Sequence, residues 1–121
     1  FKPKIVIIAL GANDALRGLL LTVTKKNLSR MIFLAKGSGA RVLLLGVRML
    51  PNYGEFYRQQ FERIFPSLAD QYRVPLVSKM LDGVAGKAGM MQADGLHPTK
   101  QAQPVIFNNV WPQLKPLLRK I

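Results

Sequence analysis

The stretch Lys4-Ile-Val-Ile-Ile-Ala-Leu-Gly-Ala-Asn-Asp14 constrains the fold of this chain more than any other. Residues Ile5 to Leu10 are all apolar and most are β-branched, the pattern of a strand covered on both faces in a parallel sheet. Gly11 then permits a sharp turn, so Asn13 and Asp14 fall at the strand's carboxyl end. In open α/β sheets that edge is where ligands bind. Far downstream, Asp94-Gly-Leu-His97-Pro-Thr holds the only histidine of the sequence. A carboxylate three residues before an imidazole can be aimed at it by a turn, fixing its tautomer and stabilising its protonated form.

The remaining pattern alternates helix and strand. After an apolar loop over residues 15–21, a helix is predicted from Thr22, with Val23, Leu28, Met31, Ile32 and Ala35 inward and a stop at Gly37-Ser-Gly39. Arg41 to Gly46 reads as a second buried strand, followed by a loop over 47–54 on the same sheet edge as Asn13. A second helix is predicted over Glu55 to Tyr72, kinked or restarted at Pro66. Val74 to Val77 reads as a third strand. Ser78 to Gly95 is mostly loop, with a short helix over Lys79 to Val84. Thr99 caps a last helix carrying Val105, Ile106, Val110, Leu114, Leu117 and Leu118, and Pro104, Pro112 and Pro116 predict a bend or break near Trp111.

The order β-α-β-α-β-α implies right-handed parallel crossovers within one domain spanning residues 1–121. Three strands make a thin sheet, and the very apolar first strand has a neighbour on one side only. Exposed, flat, apolar edges are avoided in natural sheets. The expectation is therefore that further strands stand upstream, or that another chain supplies them.

Composition excludes several chemistries. There is no cysteine, so disulfides and thiolate metal sites do not arise, and one histidine with six scattered carboxylates does not suit a zinc site. No apolar run is long enough to span a bilayer. The formal net charge of +12, from 18 Lys and Arg against 6 Asp and Glu, favours anionic surroundings such as phospholipid head groups, nucleic acid or an acidic substrate, although dispersed bases read first as a solvated basic surface. The bases are dispersed and lack interleaved aromatic residues, so no specific nucleic-acid site is predicted.

Gly11-Ala-Asn13-Asp14 resembles the G-x-N-D block of the SGNH, or GDSL, hydrolases, and Asp94-Gly-Leu-His97-Pro resembles their D-x-x-H block. Asn13-Asp-Ala-Leu-Arg-Gly18, Pro51-Asn-Tyr-Gly54, Phe65-Pro66, Val74-Pro-Leu76 and Ala102-Gln-Pro104 extend the resemblance to the bacterial thioesterase I, lysophospholipase and arylesterase branch. The resemblance implies a three-layer, flavodoxin-like parallel sheet, here without the family's first two strands, and acyl transfer through a serine. His97 would be the general base, Asp94 its orienting partner and Asn13 the oxyanion donor, with Gly11 and Asp14 supporting the turn. Leu16, Leu19, Tyr53, Met90 and Met91 would wall an acyl-chain groove. The resemblance implies no cofactor, an acyl ester or thioester substrate, and a periplasmic or secreted location.

The family's nucleophile stands in a Gly-Asp-Ser block, which this sequence lacks. Ser29, Ser38, Ser67 and Ser78 all fall in other contexts. The chain is expected to be the carboxyl-terminal part of an acyl hydrolase, inactive without the serine block. Alternatives are a non-catalytic module that pairs with an amino-terminal segment or a second copy through residues 4–10, and an anion-binding basic module acting on membranes or nucleic acid.

Overall fold

The computed structural model describes residues 3–9, 21–46, 54–78, 80–84, 87–93 and 97–119. Three parallel strands, β1 (Ile5–Ile8), β2 (Arg41–Leu45) and β3 (Leu76–Val77), lie in the order β1-β2-β3. Ile5 pairs with Arg41 and Ile8 with Leu44, while Leu44 and Leu45 pair with Leu76 and Val77. Helices α1 (Leu21–Gly37) and α2 (Glu55–Tyr72) make the two crossovers, and α3 (Gln103–Arg119) follows a 3-10 turn over Lys100–Ala102.

Because successive strands step in one direction, right-handed crossovers put α1 and α2 on the same face of the sheet. Side-chain alternation along β2 then divides the interior. Val42 and Leu44 join Ile8, Leu28, Ile32, Phe61, Ile64, Phe65 and Leu68 beneath α1 and α2. Leu43 and Leu45 face the other way, where Val77, Val110, Leu114 and Leu117 meet them beneath α3. The result is helix, sheet, helix, with the larger core on the α1/α2 side. Phe61 and Phe65 lie edge to face at 5.5 Å between centroids, a favoured aromatic geometry.

The α1 stripe is out of phase with part of its prediction. Thr24, Leu28 and Ile32 are buried, whereas Val23, expected inward, is 43% exposed. Residues 24, 28 and 32 recur every four and share a face; Val23 precedes Leu28 by five and falls off it. Strand β1 is likewise less covered than its sequence suggests. Only Ile8 is buried along it, and Ile7 is 47% exposed, because α3 packs over β2 and β3.

The prolines do not end the helices that contain them. Helix α2 runs through Pro66 without a restart, and α3 runs through Pro112 and Pro116 without a break at Trp111. Pro66, Pro112 and Pro116 are all on exposed faces, so the carbonyls deprived of a donor can turn to water. Pro104 stands in the first turn of α3, where an amide has no helical acceptor to lose.

Strand β3 is shorter than predicted. Arg73 takes the left-handed conformation (φ 54°, ψ 50°), and its N–H and that of Val74 both donate to Ala69 O. Val74 thus still belongs to the helix exit. Pro75 O nevertheless accepts from Leu44 N at 3.0 Å. At the other edge of this junction, a Cβ on Gly46 would lie 3.2 Å from Val77 O, so the close approach of β2 to the chain leaving β3 favours glycine.

Residues 80–84 form turns rather than the short helix predicted over 79–84. The Asn109 amide of α3 donates to Met80 O at 3.0 Å and Asp82 O at 2.8 Å, and Gly83 has φ +77°. Carbonyls that a helix would have used are held by a side chain, and buried Val84 anchors the turn from below.

Candidate functional site

The parallel register brings the carboxyl ends of β1, β2 and β3 to one edge of the sheet. Of the sequence-derived candidates, Gly11, Asn13, Asp14, Leu16, Leu19, Tyr53 and Asp94 lie outside the described residues. His97, Met90 and Met91 lie within them, and one hairpin-like ribbon holds all three.

Its two described arms, residues 89–93 and 97–99, are fastened to each other at successive levels. Thr99 Oγ1 donates to Gly89 O at 2.7 Å, and Thr99 N donates to Met90 O at 2.9 Å. Met91 and Pro98 form an antiparallel bridge. Nearest the tip, Gln92 N donates to His97 O at 2.7 Å, and Gln92 Nε2 reaches Pro98 O at 3.3 Å. The last of these backbone bonds fixes the main chain at His97 itself.

The ribbon is rooted through Ala102, which is fully buried, and through Gln103 Nε2, which donates to Thr99 O at 3.2 Å. Met90 and Met91 are half-buried along it, while His97 is exposed. An accessible imidazole on a pinned backbone is a suitable geometry for proton transfer to and from a reactant.

Thr99 precedes the 3-10 turn, where its residue type suits a cap, but its side chain makes no capping hydrogen bond. The hydroxyl crosses the ribbon to Gly89 instead. Thr99 and Gln92 thus tie the two arms together through bonds that spacing alone does not reveal, since their partners are carbonyls across the ribbon. Thr99→Ala is expected to cost about 0.5–1.5 kcal/mol, the usual net worth of one such bond. Hydrogen exchange at the Gln92 amide should quicken in that variant; unchanged protection would remove the hydroxyl's role.

Two other polar features flank the sheet. At the start of α2, both carboxylate oxygens of Glu55 accept from Arg58 Nη2, at 2.7 and 2.6 Å, and Gln59 Nε2 adds a third bond at 3.0 Å. Those bonds hold the Glu55 carboxyl below its usual range and raise Arg58. Arg58 Nη1 also lies 3.5 Å from Glu62. At the end of β3, a cleft of about 230 Å³ is lined by Leu76, Val77, Ser78, Asp82, Asn109, Pro112 and Gln113. It includes none of the sequence-derived candidates. Among the described residues, no group of three or more His, Asp or Glu side chains could hold a metal ion.

Comparison with known proteins agrees with this architecture. Residues 1–103 match the GDSL-like Lipase/Acylhydrolase family. Over 117 residues the chain is 50% identical to Esterase TesA of Pseudomonas aeruginosa, covering 97% of this chain and 58% of that protein. It is 46% identical over 112 residues to an arylesterase of Vibrio mimicus, covering 93% and 56%. It is 38% identical over 117 residues to thioesterase 1/protease 1/lysophospholipase L1 of Escherichia coli K12, covering 97% and 56%. The chain thus spans little more than half the length of these curated relatives. Among solved structures, TesA superposes with a TM-score of 0.91 at 49% identity, over 96% of this chain and 64% of that one. The psychrotrophic esterase EstA from Pseudoalteromonas sp. gives 0.89 at 33% identity, over 98% and 65%.

Proposed function

Since this chain belongs to the GDSL-like lipase/acylhydrolase family, we propose that it supplies the base and oxyanion-binding half of a serine esterase or thioesterase. The observation that carries the reading is a single family match across residues 1–103 that contains both Gly11-Ala-Asn-Asp14 and Asp94-Gly-Leu-His97. The serine itself must come from a Gly-Asp-Ser block, which these 121 residues do not contain. Among the described residues β1 pairs with β2 alone, and its other side offers an edge on which a polypeptide bearing that block would pair.

In this reading the serine Oγ attacks the acyl carbonyl carbon while His97 takes its proton, and Asp94 stabilises the resulting imidazolium. The carbonyl oxygen becomes an oxyanion beside the Asn13 side-chain amide, a neutral donor that cannot ionise away. His97 then returns the proton to the departing alcohol or thiol. Water repeats the sequence on the acyl-serine, and the carboxylic acid leaves. Leu16, Leu19, Tyr53, Met90 and Met91 would receive the apolar acyl chain.

Fluorophosphonate labelling tests this division of labour. The chain alone is expected to take no adduct, and a mixture with a polypeptide carrying the family's Gly-Asp-Ser block is expected to be labelled on that serine. Labelling of Ser29, Ser38, Ser67 or Ser78 in the chain alone would overturn the division. A mixture that pairs, by sedimentation, but takes no label would favour the non-catalytic assembly module.

A further inference from the structure

Helix α1 has a second face that the core does not use. Its inward side is settled by buried Thr24, Leu28 and Ile32, with Leu21, Met31 and Ala35 packed beside them. At 3.6 residues per turn, Val23, Lys26, Arg30, Phe33 and Leu34 project together on the opposite side. All five are exposed, and Phe33 and Leu34 are so by 63% and 54%.

Single apolar residues at a surface are ordinary. Here three share one helical face and are interleaved with two cations. Lys25 and Lys36 lie to one side of that face, Lys36 with its ammonium on Tyr72 O of α2, and α1 contains no acid. From Ala15 to Gly54 the sequence has Arg17, Lys25, Lys26, Arg30, Lys36, Arg41 and Arg48 and no carboxylate. Helix α2, which packs against α1, carries Glu55, Glu62 and Asp70. Arg58 engages the first two.

Apolar side chains set among cations, without acids, are the pattern of a helix that lies in a membrane interface. Nucleic acid would satisfy the cations, yet it offers nothing to Val23 and Leu34, which neither stack on bases nor donate hydrogen bonds. We propose that the outward face of α1 docks the protein onto an anionic phospholipid bilayer. Phe33 and Leu34 enter the acyl boundary while Lys26 and Arg30 meet head-group phosphates. The docking needs no turnover, so it stands apart from the hydrolase reading.

Flotation of the whole chain with vesicles tests it. Phosphatidylcholine vesicles doped with phosphatidylglycerol should carry the protein upward at low salt, whereas pure phosphatidylcholine should carry at least about tenfold less. Added salt should release it, because exposed charges are screened over about 10 Å at 0.1 M. Phe33→Ser with Leu34→Ser, and separately Lys26→Glu with Arg30→Glu, should each cut partitioning by about tenfold or more while circular dichroism stays unchanged. No flotation with the anionic vesicles, or flotation indifferent to both pairs of substitutions, would overturn the proposal. Preferential binding of a single-stranded oligonucleotide, lost with the charge reversal but kept in the serine pair, would overturn it in favour of nucleic acid.

Discussion

His97→Ala is expected to lower ester turnover at least about 10⁴-fold in the chain combined with a Gly-Asp-Ser-bearing polypeptide. Alanine removes the group that would take the serine's proton and return it to the leaving group, and no second histidine exists in the chain to replace it. The substitution should leave the fold intact. Alanine keeps the main-chain oxygen that accepts from Gln92 N, and circular dichroism of the variant checks the fold. Asn13→Ala should cost less, about 10²–10³-fold, as expected for one oxyanion donor. The double variant should fall well short of the product, because groups acting on one transition state are not additive. A chromogenic acyl ester followed under saturating polypeptide separates the cases. Full turnover in His97→Ala would remove the assigned base, whereas a loss confined to binding of the polypeptide would recast His97 as an interface residue.

The largest effect on stability is expected from Phe61→Ala, at about 3–5 kcal/mol. Phe61 is fully buried, packs edge to face on Phe65, and belongs to the cluster that joins α1, α2 and the sheet. Its removal leaves a cavity among side chains that cannot all close in. Domains of this size are typically stable by only about 5–15 kcal/mol, so the variant should unfold at markedly lower urea. The control is Phe56→Ala on the same helix, where the ring is 77% exposed and the change should stay within about 0.5 kcal/mol. Equal midpoints for the two variants would contradict the core described here.

The order of helices and strands was largely legible in the residues. The helix over Glu55–Tyr72 is where its periodicity put it, and the parallel three-strand sheet has its first strand at an edge, as the pattern required. Both follow from local rules, since amphipathic spacing and β-branched runs act over a few neighbouring residues. The family could also be read from the Asn13 and His97 blocks, whose residue types and order carry the resemblance without any coordinates.

Other features depend on partners distant in sequence. The proline signal is read from the missing amide alone, but whether a helix survives Pro66 or Pro112 depends on whether the freed carbonyl meets water or a packed neighbour. Thr99 has the composition of a cap; its acceptor is Gly89, ten residues away across a ribbon. The turn at 80–84 is decided by Asn109, which takes its carbonyls from a helix that begins some twenty residues later.

By itself, then, the sequence determined the element order, the parallel crossovers and the chemical types at the family blocks, because each is encoded in contiguous spacing or composition. Tertiary structure alone decided which face of α1 is left to solvent, how the main chain at His97 is pinned, and where the prolines are tolerated. Each of those outcomes is set by contacts between segments far apart along the chain, and such contacts come into being only when the sheet and helices pack.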